Sequence, residues 1–248
     1  MSGVVAPAWL SDTPLAHRGL HGDGIPENSC ASFRAAAESG YGVELDVMLA
    51  RDGTPVVVHD QVLRRVTGSD RRVADLDVES LQQLPLLTAD GETSDEVVPT
   101  LAQALQALDG HPAMVEIKSH RLRAGRLEAA VAAVLDEHDG PHCIASFNPA
   151  TVRWFRRRRP GTVRVLTATP DADPRLPAVV RRRLAELRDA PALSPHAISY
   201  DLVGLPNPAT DAWRDAGGTL VTWTVRTEAD LARAREVADN PIFERVRP

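Results

Sequence analysis

The chain has 248 residues, 43% of them hydrophobic, with a net charge of -6 at pH 7 and a pI near 5.8. That length suits either one large domain or two small ones, with α/β barrels often reaching this size as one, and the acidic balance argues against nucleic acid as a default partner. No window reaches the roughly 18 apolar residues of a membrane helix. The start, MSGVVAPAWLSDT, has neither a basic leader nor a long apolar run, so a soluble, cytoplasmic protein without stable membrane insertion is expected. Cys30 and Cys143 stand in no paired motif and read as free thiols. Of the 28 basic residues, 27 are arginine; Lys118 is the single lysine.

Residues 1–13 read as a loose lead-in. The first strand is expected at Pro14–Arg18, followed by a Gly-rich loop and an Ala-rich helix over Cys30–Ser39, with Asn28 or Ser29 as its N-cap. Gly40 and Gly42 end that helix, and a second strand follows at Val43–Leu49. An Asp52-Gly53 turn then leads into a third at Pro55–His59. Residues 61–99 break the alternation, with one modest helical run at Val78–Leu84, and read as a small insertion. Helices are expected at Thr100–Leu108, Arg126–His138, Pro149–Arg158, Arg175–Arg188, Pro208–Ala216 and Glu228–Ala238. Between them lie strands at Ala113–Ser119, Cys143–Phe147, Val163–Thr169, Ala197–Asp201 and Thr219–Val225. Eight strands alternating with helices imply a parallel sheet, which closes most naturally into a TIM (β/α)8 barrel. The expected architecture is one domain over residues 1–248, with the insertion after the third strand.

The chemistry-bearing residues gather at the carboxyl ends of these strands, where a TIM barrel keeps its active site. Glu44 and Asp46 are two apart on one strand and share a face, as do Glu116 and Lys118. Pointed outward, the acids would meet the helical layer; pointed inward, they need a cation. Three carboxylates, Glu44, Asp46 and Glu116, suit a hard divalent metal, Mg²⁺ or Ca²⁺, better than structural zinc. Arg18 and Lys118 read as anion clamps, and phosphate is the obvious anion beside such a metal. His17 and His59 can trade a proton near neutral pH. Trp223 offers a flat apolar wall for the organic part of a substrate.

Other residues have plainer readings. Glu27 and Asn28 either reach the site or cap the next helix, and Asp60 either accepts a bond from His59 or caps a turn. Lys118 could serve only as a partner for Glu116. His21 and His120 are weak site candidates; His111, His138, His142 and His196 read as surface or loop residues. The run Arg156–Arg159 sits at a helix end, where it complements the dipole and stays solvated. Ser29 and Ser146 lack the turn context of a nucleophilic serine.

The segments HRG (17–19), PENS (26–29), ELD (44–46), HD (59–60), EIK (116–118), SF (146–147) and WTV (223–225) together resemble the glycerophosphodiester phosphodiesterases. The resemblance implies a TIM barrel with a small insertion and a Mg²⁺ or Ca²⁺ ion on Glu44, Asp46 and Glu116. It makes His17 and His59 the acid/base pair and places Arg18 and Lys118 on the phosphate. The implied reaction cleaves small-molecule glycerophosphodiesters to glycerol 3-phosphate and an alcohol. Two segments depart from the pattern: Arg226 stands where many members have Asn, and Asp239–Glu244 replaces an acidic, glycine-containing segment. Both bear on substrate choice more than on catalysis. Two other readings are open: a lysophospholipase D acting on lysophospholipids, and a non-catalytic phosphodiester binder. The complete histidine pair argues against the binder.

Overall fold

A computed structural model describes residues 5–119, 124–171, 174 and 176–248. The chain divides into two compact units, Leu15–His142 and Met1–Pro14 with Cys143–Pro248. In the first, β1 (Leu15–His17), β2 (Gly42–Leu49) and a strand at Ala113–Ile117 run parallel. Between the last two, the chain adds β3 (Pro55–Val57), β4 (Pro85–Leu87) and β5 (Thr93–Val97), so Ala113–Ile117 is β6. The second unit carries β7 (His142–Ser146), β8 (Val163–Ala168), β9 (Ala197–Asp201), β10 (Thr219–Val225) and β11 (Asn240–Phe243). These five pair in sequence order, all parallel. Three parallel strands and five make the eight of a TIM (β/α)8 barrel, the expected fold class.

The eight are not the eight expected. Pro55–His59 is not a barrel strand: only Pro55–Val57 is extended, and it pairs antiparallel with β2, Leu49 opposite Pro55 and Val47 opposite Val57. The reason is length. Residues 50–54 form a tight turn in which Ala50 N–H donates to Thr54 O at 2.9 Å and Gly53 takes φ +93°, whereas a parallel return needs about a dozen residues. The missing barrel strand is β11, inside the segment that departs from the family pattern. Residues 1–13 are also not wholly loose, because Trp9–Asp12 forms a helical turn that buries Leu10 completely.

The helices follow expectation closely. Pro149–Arg158 has the expected bounds, with Asn148 as N-cap and proline in the first turn. Ala178–Ala185 is shorter than expected, a separate turn follows at Ala190–Leu193, and Arg175 lies outside the described residues. The Arg156–Arg159 run is exposed, as a solvated helix end should be. His196 is not a surface residue: it is 9% exposed, and its Nδ1 accepts a hydrogen bond from Arg164 N–H at 3.1 Å.

The insertion, residues 61–99, has a core of its own. Leu63, Val73, Leu76, Leu81, Leu86 and Val98 pack with Met48 of β2 and Val56 of β3. Burying each such side chain is worth about 1.5–3 kcal/mol, enough to hold a segment whose helices are only one turn long. Its β4–β5 hairpin gives no strong sequence signal, because Thr93–Val97 is polar and half exposed.

Candidate active site

The parallel registers of β1, β2 and β6 assemble the site. His17 lies opposite Glu44, and Asp46 lies opposite Glu116. Val43, Leu45 and Val47 take the other face of β2 and are fully buried, so the alternation points the acids inward. Glu44, Asp46 and Glu116 are themselves buried, with donor oxygens within 4.8 Å of one another. His17 Nε2 is 4.0 Å from Glu44 Oε2. The Lys118 ammonium lies 2.9 Å from Asp46 Oδ1 and 2.5 Å from Glu116 Oε1. The single lysine is thus more than a partner for Glu116.

Arg18 and Asn28 complete the cradle from the loop after β1. The Arg18 guanidinium lies 3.2 Å from Asp46 Oδ2 and donates to Glu27 Oε1 at 2.9 Å, while its backbone N–H donates to Glu44 Oε2. Asn28 donates to Asp46 Oδ2 at 3.0 Å and accepts from the Asp46 backbone N–H at 3.3 Å. Both Arg18 and Asn28 hold left-handed backbone, φ +56° and +52°, a conformation that non-glycine residues adopt only under local constraint. The constraint is visible. Asn28 N–H donates to Arg18 O, and Ser32 Oγ donates to Arg18 O from the helix Cys30–Glu38. That helix is capped by Ser29 and Ser32 in a reciprocal box. Gly19 is required here, because a Cβ would sit 2.2 Å from Ser32 Oγ at φ +80°. Glu27 and Asn28 therefore belong to the site, and Ser29 is the N-cap.

The charges explain the titration of the site. Burial, then the charges of Asp46 and Glu116, push the Glu44 carboxyl well above its usual range. Burial acts on Asp46 too, but Lys118 and Arg18 outweigh it and hold that carboxyl below its usual range. Burial lowers the His59 pKa; Asp46 and Asp60 only partly offset this. Three carboxylates face two cations, one of them shared with Glu27. Glu116 Oε1 is buried against the Lys118 ammonium. A buried all-oxygen set with surplus negative charge fits a hard divalent cation.

His59 stands beyond the end of β3, half-buried, with Nδ1 2.7 Å from Asp60 Oδ1. Asp60 thus takes the first of its two expected roles. Its other oxygen accepts from Arg65 Nε at 2.6 Å, and Arg65 donates to both oxygens of Glu27 at 2.7 Å. Arg65 has no sequence signal of its own: its helix, Arg64–Thr67, is one turn long and carries no periodicity to mark a face. Trp223 belongs to the other unit, on β10, half-buried and edge-on to Phe147 with ring centroids 5.6 Å apart. His21 is half-buried in the loop after β1, and His120 lies outside the described residues.

A model of the glycerophosphoryl diester phosphodiesterase family matches residues 17–244. The chain belongs to that family. Its members hydrolyse phosphoric diesters, and this protein is an enzyme of that class. Glycerophosphodiester phosphodiesterase 1 of Homo sapiens is 28% identical over 237 residues, spanning 86% of this chain and 71% of the relative. The glycerophosphodiester phosphodiesterase of Caldanaerobacter subterraneus subsp. tengcongensis is 32% identical over 152 residues, 59% of this chain and 62% of the relative. Among solved structures, an Oleispira antarctica phosphodiesterase in complex with the product sn-glycerol-3-phosphate superposes with a TM-score of 0.78 at 25% identity, covering 93% of this chain and 92% of that one. A Silicibacter pomeroyi protein superposes at 0.80 with 21% identity over 98% and 91% of the two chains, which bears on the fold alone. The phosphodiesterase carries an acidic cluster that could hold a metal, and among the described residues no helix is long and apolar enough to cross a membrane.

Proposed function

We propose that the chain is one cytoplasmic catalytic domain that hydrolyses small, water-soluble glycerophosphodiesters to glycerol 3-phosphate and an alcohol. The observation that carries this is the meeting of Glu44, Asp46 and Glu116 within 4.8 Å, with His17 at 4.0 Å from Glu44. Glu44, Asp46 and Glu116 would hold Mg²⁺ or Ca²⁺, which as a Lewis acid would withdraw charge from the phosphoryl oxygens. Arg18 and Lys118, already beside these carboxylates, bind the phosphate and stabilise the charge that builds up on it. His59 and His17 move the proton, one taking it from the attacking group, either water or the substrate's own glycerol hydroxyl, and the other giving it to the departing oxygen; a cyclic phosphate formed by the hydroxyl would then be opened by water. Burial favours neutral His59 at neutral pH, the form a base requires. Trp223 would pack against the organic part of the substrate.

The test is a panel assay on glycerophosphocholine, glycerophosphoethanolamine, glycerophosphoglycerol and lysophosphatidylcholine, with and without EDTA and with coupled detection of glycerol 3-phosphate. Turnover of the water-soluble diesters that EDTA abolishes is expected. His17→Ala and His59→Ala should lose activity by about 10²–10⁴-fold while binding Mn²⁺ normally. No turnover of any diester with Mg²⁺, Ca²⁺ or Mn²⁺ supplied contradicts the proposal, and preference for lysophosphatidylcholine moves the substrate to lysophospholipids.

A further inference from the structure

Arg65 reaches out of the insertion and joins two parts of the site that approach it from different directions. On one side it grips Glu27 with both terminal nitrogens, and Glu27 in turn accepts from Arg18. On the other its Nε donates to Asp60, whose second oxygen meets His59 Nδ1. The result is an unbroken run of charge-assisted contacts, Arg18–Glu27–Arg65–Asp60–His59. Isolated surface ion pairs contribute little, but a forked arginine bridging two carboxylates in a network is the favourable exception. The backbone beneath Arg65 is anchored as well. Leu63 is fully buried, Val66 nearly so, and Leu63 N–H donates to Arg71 O at 3.0 Å.

We propose that Arg65 is a positioning residue: it fixes Asp60 so that His59 carries its proton on Nδ1 and offers a bare Nε2, while holding Glu27 so that the Arg18 guanidinium stays aimed at the phosphate. The inference rests on the reading of His59 as a proton-transfer group. Acceptors set the tautomer. The bonds from His59 and Arg65 hold Asp60 below its usual pKa, so it is ionised and can only accept. Neutral His59 must then donate from Nδ1, which leaves the Nε2 lone pair free. Without Arg65, Asp60 loses the contact that fixes its second oxygen, and the imidazole is free to rotate and change tautomer. Lysine cannot replace it, since one ammonium does not span two carboxylates as the fork does.

Ring ¹⁵N NMR of His59, assigned by its disappearance in His59→Ala, tests the role directly. In the wild type the neutral ring should carry its proton on Nδ1; in Arg65→Gln it should become a mixture containing the Nε2–H form. A double-mutant cycle in kcat supplies the second readout. Arg65→Gln and Asp60→Asn should each lower kcat by about 10–100-fold. The double variant should fall little below the worse single one, because both act through the same contact. Arg64→Gln, on the same turn, should match the wild type. An unchanged His59 tautomer in Arg65→Gln, or losses that multiply in the cycle, overturns the proposal. If the wild type turns over no diester, the functional reading fails, and the ring spectrum alone still decides what Arg65 does to His59.

Discussion

At Glu44 the protein buries a carboxylate against two others. Burial and the charges of Asp46 and Glu116 raise its pKa, which means the ionised form is destabilising in the metal-free chain. Glu44→Gln keeps an acceptor for the Arg18 N–H and removes the charge. The variant in EDTA should therefore melt higher than the wild type. The order should reverse when saturating Mn²⁺ is added, because the wild type gains binding energy that the variant lacks. Thermal melts of both proteins in both conditions check this; a lower melting point for the variant in EDTA would contradict it. Glu44, Asp46, Glu116 and Lys118 were legible because side chains two apart on a strand share a face, whatever the surrounding fold. Arg65 was not, because only tertiary structure brings Glu27 and Asp60 within its reach.

Strands and helices were legible where their periodicity ran for several residues and failed where an element was short. Pro149–Arg158 has a cap, a first-turn proline and an apolar face. β11 has four residues, one of them proline, between charged flanks, so its role comes only from pairing with β10. β3 illustrates a different failure: a run of valines specifies an extended chain but not its direction, and the short turn before it decided that. At the β8–β9 edge, His196 makes a pH prediction. Burial, with help from the Arg164 charge, lowers its pKa to about 4. As pH falls below about 6.5 the unfolded chain takes up this proton first. The stability present above 6.5 is thus lost progressively down to about 4, where protonation of Nδ1 would also break the bond from Arg164 N–H. His196→Asn keeps an acceptor without a titrating group. It should lose less Tm than the wild type between pH 7 and pH 5; equal losses would refute the assignment.

For the molecule as a whole, the barrel class was readable from alternation even though one of the eight strands was placed wrongly, and the family from seven short segments in register. The insertion showed in the sequence as a place where alternation stopped, and the family pattern implied it too. In the structure it is a packed body that delivers Arg65 to the site, so stability and activity should be linked through it. Leu81 is fully buried in that core, and Leu81→Ala should cost about 2–5 kcal/mol, at roughly 2–4 °C of Tm for each kcal/mol. Its kcat should fall below the wild-type value even at temperatures where the barrel is fully folded by circular dichroism. Unaltered kcat there would show that the insertion does not support the site. The convergence of three acids on one ion decides the function. It is tested most directly by titrating Mn²⁺ into EDTA-stripped protein in a calorimeter while following glycerol 3-phosphate release from glycerophosphocholine in matched samples. One ion per chain should bind, Glu44→Gln and Asp46→Asn should weaken it at least about ten-fold, and turnover should rise in step with occupancy. Equal affinity in those variants, or turnover that persists with the ion stripped away, would contradict the account.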